Sequence, residues 1–166
     1  SHRNWRRVLR QHTRPAQRLA WIDVHTGLGP TGVGERILAG RADPATIARA
    51  RQWWQTPKAR LTVTQDGSSS SAQLHGELWE AMYQECAHAE YTGITLEFGT
   101  VPLKEMLDAL LGDHWLAMHP DAGEQEAAAI RQRMVDAFYV NTSAWRARVL
   151  EQAGEALVQA VDGLNS

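Results

Sequence analysis

Leu19-Ala20-Trp21-Ile22-Asp23-Val24 is an apolar run broken by one carboxylate, and it leads directly into His25-Thr26-Gly27-Leu28-Gly29-Pro30. A short apolar run that stops at glycines reads as a buried strand followed by a loop. The spacing predicts a strand over 19–24 and a loop through Gly27, Gly29, Pro30, Gly32 and Gly34. Working outward, Leu61-Thr62-Val63-Thr64 predicts a second strand, and Tyr91-Thr92-Gly93-Ile94-Thr95-Leu96-Glu97-Phe98-Gly99 a third. Between and around them lie helical patterns. Residues 3–13 form one, closed by Pro15; Asp43-Pro44 opens another that carries Trp53-Trp54, with proline at a first helical position. Leu74, Leu78, Trp79 and Met82 predict a helix after the Ser68–Ser71 turn. Pro102 starts a helix with Leu103, Met106, Leu107, Leu110 and Leu111, and two more follow the His119-Pro120-Asp121 break. Strands alternating with helices, then helices alone, predict an α/β layer architecture with a helical C-terminal tail.

The chain has 166 residues with 43% hydrophobic and 22% charged residues. That is enough for a single domain with a real core, and it excludes a disordered or collagen-like chain. No apolar run approaches the roughly 20 residues that span a bilayer. One cysteine, Cys86, excludes an internal disulfide framework. With no apolar stretch behind the first charges, a signal peptide is not expected, and a cytoplasmic location is. Ser1 in place of an initiator methionine suggests a processed, tagged or truncated chain. Charge is uneven: residues 1–60 carry 12 of the 17 Lys+Arg against Asp23, Glu35 and Asp43, a formal +9, and the remainder a formal −11. The arginines fit a solvated helix face or a complement to the acidic half better than a nucleic-acid surface, since no aromatic-basic module is present. Neither nucleic acid nor membrane is expected as a partner.

Asp23 and His25 share one face of a strand, because side chains alternate. A carboxylate two positions from an imidazole suits a histidine presented to a metal or substrate with Asp23 orienting the ring, or a strand-end histidine bonded to Asp23 for structural reasons. Glu97 interrupts an apolar strand. It reads as a general base for water or as a paired structural carboxylate. Thr26, Gly27 and Glu35 are candidate site-loop residues. Gly27-Leu28-Gly29-Pro30-Thr31-Gly32 has dinucleotide-loop spacing, but Pro30 and Gly34 delay any helix that would hold a pyrophosphate. Asn141-Thr142-Ser143 reads as a turn and helix cap. Cys86 reads as buried and inert, and His75, His88, His114 and His119 as residues on helices or their ends.

The segments Trp21-Ile22-Asp23-Val24-His25-Thr26-Gly27-Leu28-Gly29-Pro30 and Ile94-Thr95-Leu96-Glu97-Phe98-Gly99-Thr100-Val101-Pro102 resemble a bacterial branch of the carboxypeptidase-A-like zinc hydrolases. That branch is classed as a domain of unknown function and is related to succinylglutamate desuccinylase and aspartoacylase. Asp113-His114-Trp115-Leu116 and Asp136-Ala137-Phe138-Tyr139 extend the likeness over nearly the whole chain. The resemblance implies a three-layer α/β/α fold around a mixed sheet, His25 as the last of three zinc ligands, and Glu97 as the general acid/base. It implies hydrolysis of an amide bond beside a free carboxylate, on a small-molecule or peptide substrate. The family's other two ligands come from an upstream His-x-x-Glu, and none of the seven histidines here has Glu three positions later. The chain is therefore expected to be the C-terminal part of such an enzyme and inactive alone, with zinc held only when the N-terminal half is present. The alternative is a non-catalytic module that retains the remnant of such a site and self-associates.

Overall fold

The computed structural model describes residues 2–74 and 76–166. Its elements are α1 (His2–His12), β1 (Arg18–Thr31), β2 (Gly34–Leu38), α2 (Pro44–Trp54), β3 (Leu61–Thr62), a 3₁₀ turn (Thr64–Asp66), α3 (Glu80–Glu85), β4 (Glu90–Gly99), α4 (Leu103–Met118), α5 (Glu124–Phe138) and α6 (Ser143–Leu164). The four strands form one mixed sheet in the order β1-β4-β2-β3, an α/β fold. β2 and β3 are parallel. β1 and β4 advance together, since Gln17 O accepts from Glu90 N–H at 2.8 Å and Gly27 O from Thr100 N–H at 3.4 Å. β2 runs against β4: Gly99 N–H donates to Val33 O, and Ala39 N–H to Gly93 O.

The chain divides into two compact units. The first comprises Ser1–Asp23, Glu35–Leu96 and Ala153–Ser166. Its core is built on Trp54, Leu61, Ile94 and Leu96, all 2% exposed or less. The Trp54 indole donates to Ala156 O at 3.0 Å. Gly163 lies flat against the Trp53 ring, where an added Cβ would come within 2.4 Å. A satellite cluster joins Leu9, Met82, Cys86 and Tyr91 to the edge-on pair Trp5–Trp21. Glu85 pins α1 to α3 through Arg6 and Arg10. Asp43 caps α2 by accepting from the Ala45 and Thr46 amides, with Pro44 at the position where no amide donor is needed.

The second unit comprises Val24–Gly34 and Glu97–Gln152. α4 and α5 pack on each other through Met106, Ala109, Ala127 and Ile130. The Trp145 indole donates to Gly99 O at 3.1 Å. Thr142 caps α6 by accepting from the Trp145 amide, which fits the turn-and-cap reading of the Asn141-Thr142-Ser143 segment.

Three expectations need correction. The glycine stretch is strand, not loop, through Thr31: Gly27 and Gly29 reach extended geometry at φ +152° and +99°, open to glycine and rarely to other residues. The stretch also feeds an unanticipated strand, β2. The helix read across 74–82 shrinks to α3, because Gly76 takes a left-handed φ of +77° and stops it, leaving Leu74 and Leu78 exposed. His75, one of the histidines placed on a helix, lies outside the described residues.

Candidate functional site

His25 lies on β1 and Glu97 on β4, neighbours in the sheet, and both belong to the second unit. The two strands run parallel, and the Thr100 amide bonded to Gly27 O sets a register that brings His25 close to level with Glu97. The result is a close pair: His25 Nδ1 stands 3.9 Å from Glu97 Oε2. Their environments differ. The imidazole is 53% exposed and the carboxylate 10%. Burying a carboxylate is costly unless donors replace its water, and Glu97 Oε1 accepts from the Leu28 N–H at 2.9 Å.

Gly27 makes room for this arrangement. A Cβ there would sit 3.1 Å from the Phe138 ring, 3.3 Å from Met106 Sδ and 3.4 Å from Glu97 Oε1. The bare backbone thus lets a carboxylate, a thioether and an aromatic ring converge. Thr100 locks the same corner: its hydroxyl lies 2.6 Å from Ala137 O and 3.1 Å from Gly27 O, and its own carbonyl accepts from Thr31 Oγ1 at 2.5 Å. Thr100 is 2% exposed. Sequence reasoning overlooked it. A hydroxyl three residues beyond Glu97, at the strand end and just before a helix, was the available signal.

A separation of 3.9 Å is too long for a direct hydrogen bond but short enough for one water to sit about 2.8 Å from both atoms. A proton can then pass from water to the carboxylate while the imidazole holds the oxygen.

The other candidates have these places in the fold. Thr26 falls between His25 and Gly27, so strand alternation sends its side chain to the opposite face. Asp23 precedes His25 by two positions and belongs to the first unit. There, burial foremost, then Tyr83 and Asp23, push the Tyr91 hydroxyl well above its ordinary value. Glu35 is on β2 rather than a loop, and its carboxylate accepts from Thr62 Oγ1 at 2.5 Å and from the Ser70 amide and hydroxyl. It fastens the Ser68–Ser71 turn to the sheet. A cleft of about 310 Å³ between α4 and α5, lined by Val101, Glu105, Asp108, Arg133 and Asp136, includes neither His25 nor Glu97.

The donor set does not by itself fit a resident catalytic zinc. Such a site takes three protein ligands, whereas His25 and Glu97 supply two donors, and one of those is wanted as a base. Among the described residues no group of three His, Cys, Asp or Glu side chains is placed to hold a metal ion. Among the described residues, no helix is long and apolar enough to cross a membrane.

The family described as protein of unknown function (DUF2817) matches residues 1–152. No curated protein and no solved structure matches the chain.

Proposed function

The chain belongs to this family of unknown function, and we propose that within it the chain carries the acid–base half of a hydrolase site for amide bonds beside a free carboxylate. The observation that carries the reading is the His25–Glu97 pair on adjacent strands, with Nδ1 and Oε2 3.9 Å apart. In this reading Glu97 takes the proton from the attacking water and returns it to the leaving amine. The Leu28 amide keeps the carboxylate aimed. The likeness to carboxypeptidase-A-like zinc hydrolases supports the substrate class and a metal-dependent reaction. The ligands lacking here would come from outside this chain, so no step is assigned through zinc, and the chain alone is expected to be inactive.

The test compares this chain with a longer form carrying the coding sequence that precedes Ser1, by elemental analysis after dialysis and by hydrolysis of N-acyl amino acids. Stoichiometric zinc and hydrolysis are expected in the longer form only. There, Glu97→Gln is expected to keep the metal and lower the rate by about 100-fold or more, while His25→Ala loses both. Zinc held tightly by the short chain, or full activity in Glu97→Gln, overturns the proposal. A reading frame that starts at Ser1 favours the second reading, a non-catalytic module whose sheet edge binds partners.

A further inference from the structure

α4 carries two apolar faces, and both lie in the second unit. One packs on α5: Met106 and Ala109 are buried, and a Cβ on Gly112 would meet Ile130 Cγ2 at 3.5 Å. The other points away. Leu103, Leu107, Leu110, His114 and Ala117 recur at alternating steps of four and three, the spacing of a helix–helix seam, and Leu111 and Met118 widen it. At about 100° per residue, the middle of this stripe lies nearly opposite Met106, Ala109 and Gly112. Its four leucines and Met118 are each 38–68% exposed. A helix with a single packed neighbour has a polar back; α4 has leucines there.

The chemistry of the stripe decides what covers it. The charged residues of α4 are Lys104, Glu105, Asp108 and Asp113, all off the stripe, and Lys104 is paired with Asp108 at 2.6 Å. A partner selected by charge has nothing here to recognise. A bilayer surface fits poorly, because helices that lie on lipid flank their apolar face with Lys and Arg, whereas α4 sets one lysine against three carboxylates.

A second α4 fits. The stripe is bulky at its N-terminal end, at Leu103 and Leu107, and slimmer at His114 and Ala117. Turned end for end about a two-fold axis near Leu110 and Leu111, Leu107 meets His114 of the other copy, and Leu103 meets Ala117 and the pliable Met118. The helix dipoles then oppose, and no charge is buried. A parallel pair would instead set Ala117 against Ala117 across a gap. Area agrees as well. The exposed parts of the four leucines and Met118 amount to nearly three whole side chains. With His114 and Ala117 that is roughly 500 Å² per copy, toward the top of the range for the largest apolar patch on a monomer. Two copies bury about 1,000 Å² together, where specific interfaces begin.

We propose that two copies of this chain associate through their outward α4 stripes, antiparallel about a two-fold axis at Leu110 and Leu111. The proposal does not rest on the His25–Glu97 reading.

The test is sedimentation equilibrium of the chain from about 1 to 500 µM, joined to cysteine cross-linking. A reversible dimer with a Kd of about 1–100 µM is expected. Leu107→Glu and Leu111→Glu change exposed residues and are each expected to weaken the dimer by about tenfold or more, with the circular dichroism unchanged. Leu111→Cys, beside the axis, is expected to link to itself on mild oxidation; Leu103→Cys is not, but is expected to link to Met118→Cys when the two are mixed. Cys86 is buried and does not compete. A chain that stays monomeric at the highest concentration overturns the proposal, and binding of that monomer to phosphatidylcholine vesicles would assign the stripe to lipid. A dimer equally tight in both Glu variants overturns it, as does Leu103→Cys linking to itself as readily as Leu111→Cys. Loss of the dimer in the longer form carrying the coding sequence before Ser1 also overturns it, and assigns the stripe to that segment.

Discussion

Two buried charges, one in each unit, are treated in opposite ways. Arg36 of the first unit is 2% exposed, and its guanidinium donates to Trp54 O and meets Glu155 Oε2 at 3.1 Å. Glu97 of the second unit is nearly as buried, yet it is held by a neutral amide and faces a half-exposed imidazole at 3.9 Å. The first arrangement has the partners of a structural charge, a carbonyl and a counter-ion at contact distance. The second keeps a carboxylate oriented beside a half-exposed imidazole, the arrangement that the proposed role as proton acceptor requires. Burial alone does not distinguish the two charges; the distance and exposure of the partner do.

The comparison can be broken most forcefully through the backbone of the second unit. A Cβ on Gly99 would come within 2.2 Å of both Gly29 O and Pro30 O, and neither is the end of a flexible side chain. Gly99→Ala is expected to cost about 4 kcal/mol or more in chemical denaturation. A loss below about 1 kcal/mol would mean the two strands do not approach this closely. Next comes Arg36→Met, which strands the Trp54 carbonyl but returns the half-exposed Glu155 to water. A loss of about 2–3 kcal/mol is expected from thermal or chemical unfolding. Glu97→Gln sharpens the contrast from the other side: its amide oxygen can still accept from Leu28, so stability is expected to change by less than about 1 kcal/mol. A structural role like that of Arg36 would cost more.

A weaker, pH-dependent effect belongs to the surface of the first unit. Hydrogen bonds from Arg10 and then Arg6 hold the Glu85 carboxyl down from 4.5 to about 2. A folded-state value below the unfolded one adds stability that is complete above the unfolded value and fades as pH falls through the folded one. Wild type and Glu85→Gln are therefore expected to differ in unfolding midpoint near about pH 6 and to converge as pH approaches about 2. Parallel curves across that range would show that Arg6 and Arg10 do not hold the charge.

Much of this architecture was legible from local rules. Asp43-Pro44 announced α2 through the cap, and the alternating run from Tyr91 to Gly99 announced β4, found at Glu90–Gly99. β2 was not legible, because Gly34-Glu35-Arg36 places two charges and a glycine in a five-residue strand whose pairing is set by distant partners. The helix assigned over 74–82 failed because periodicity outweighed Gly76. At the site, Glu97 stood out as a carboxylate in an apolar strand. The meeting of His25 with Glu97 was expected from the family resemblance alone, because it depends on parallel register between β1 and β4 and no local pattern contains that. Thr100 and the Leu28 amide were illegible for the same reason, since each acts across 37 positions or more.

The measurement that bears most directly on the shared position is a crystal structure of the chain at a resolution that shows ordered water. A water within about 3.2 Å of both His25 Nδ1 and Glu97 Oε2 is the predicted result. A Glu97 carboxylate whose two oxygens are both saturated by protein donors, with the His25 ring turned to bulk solvent, would contradict the account.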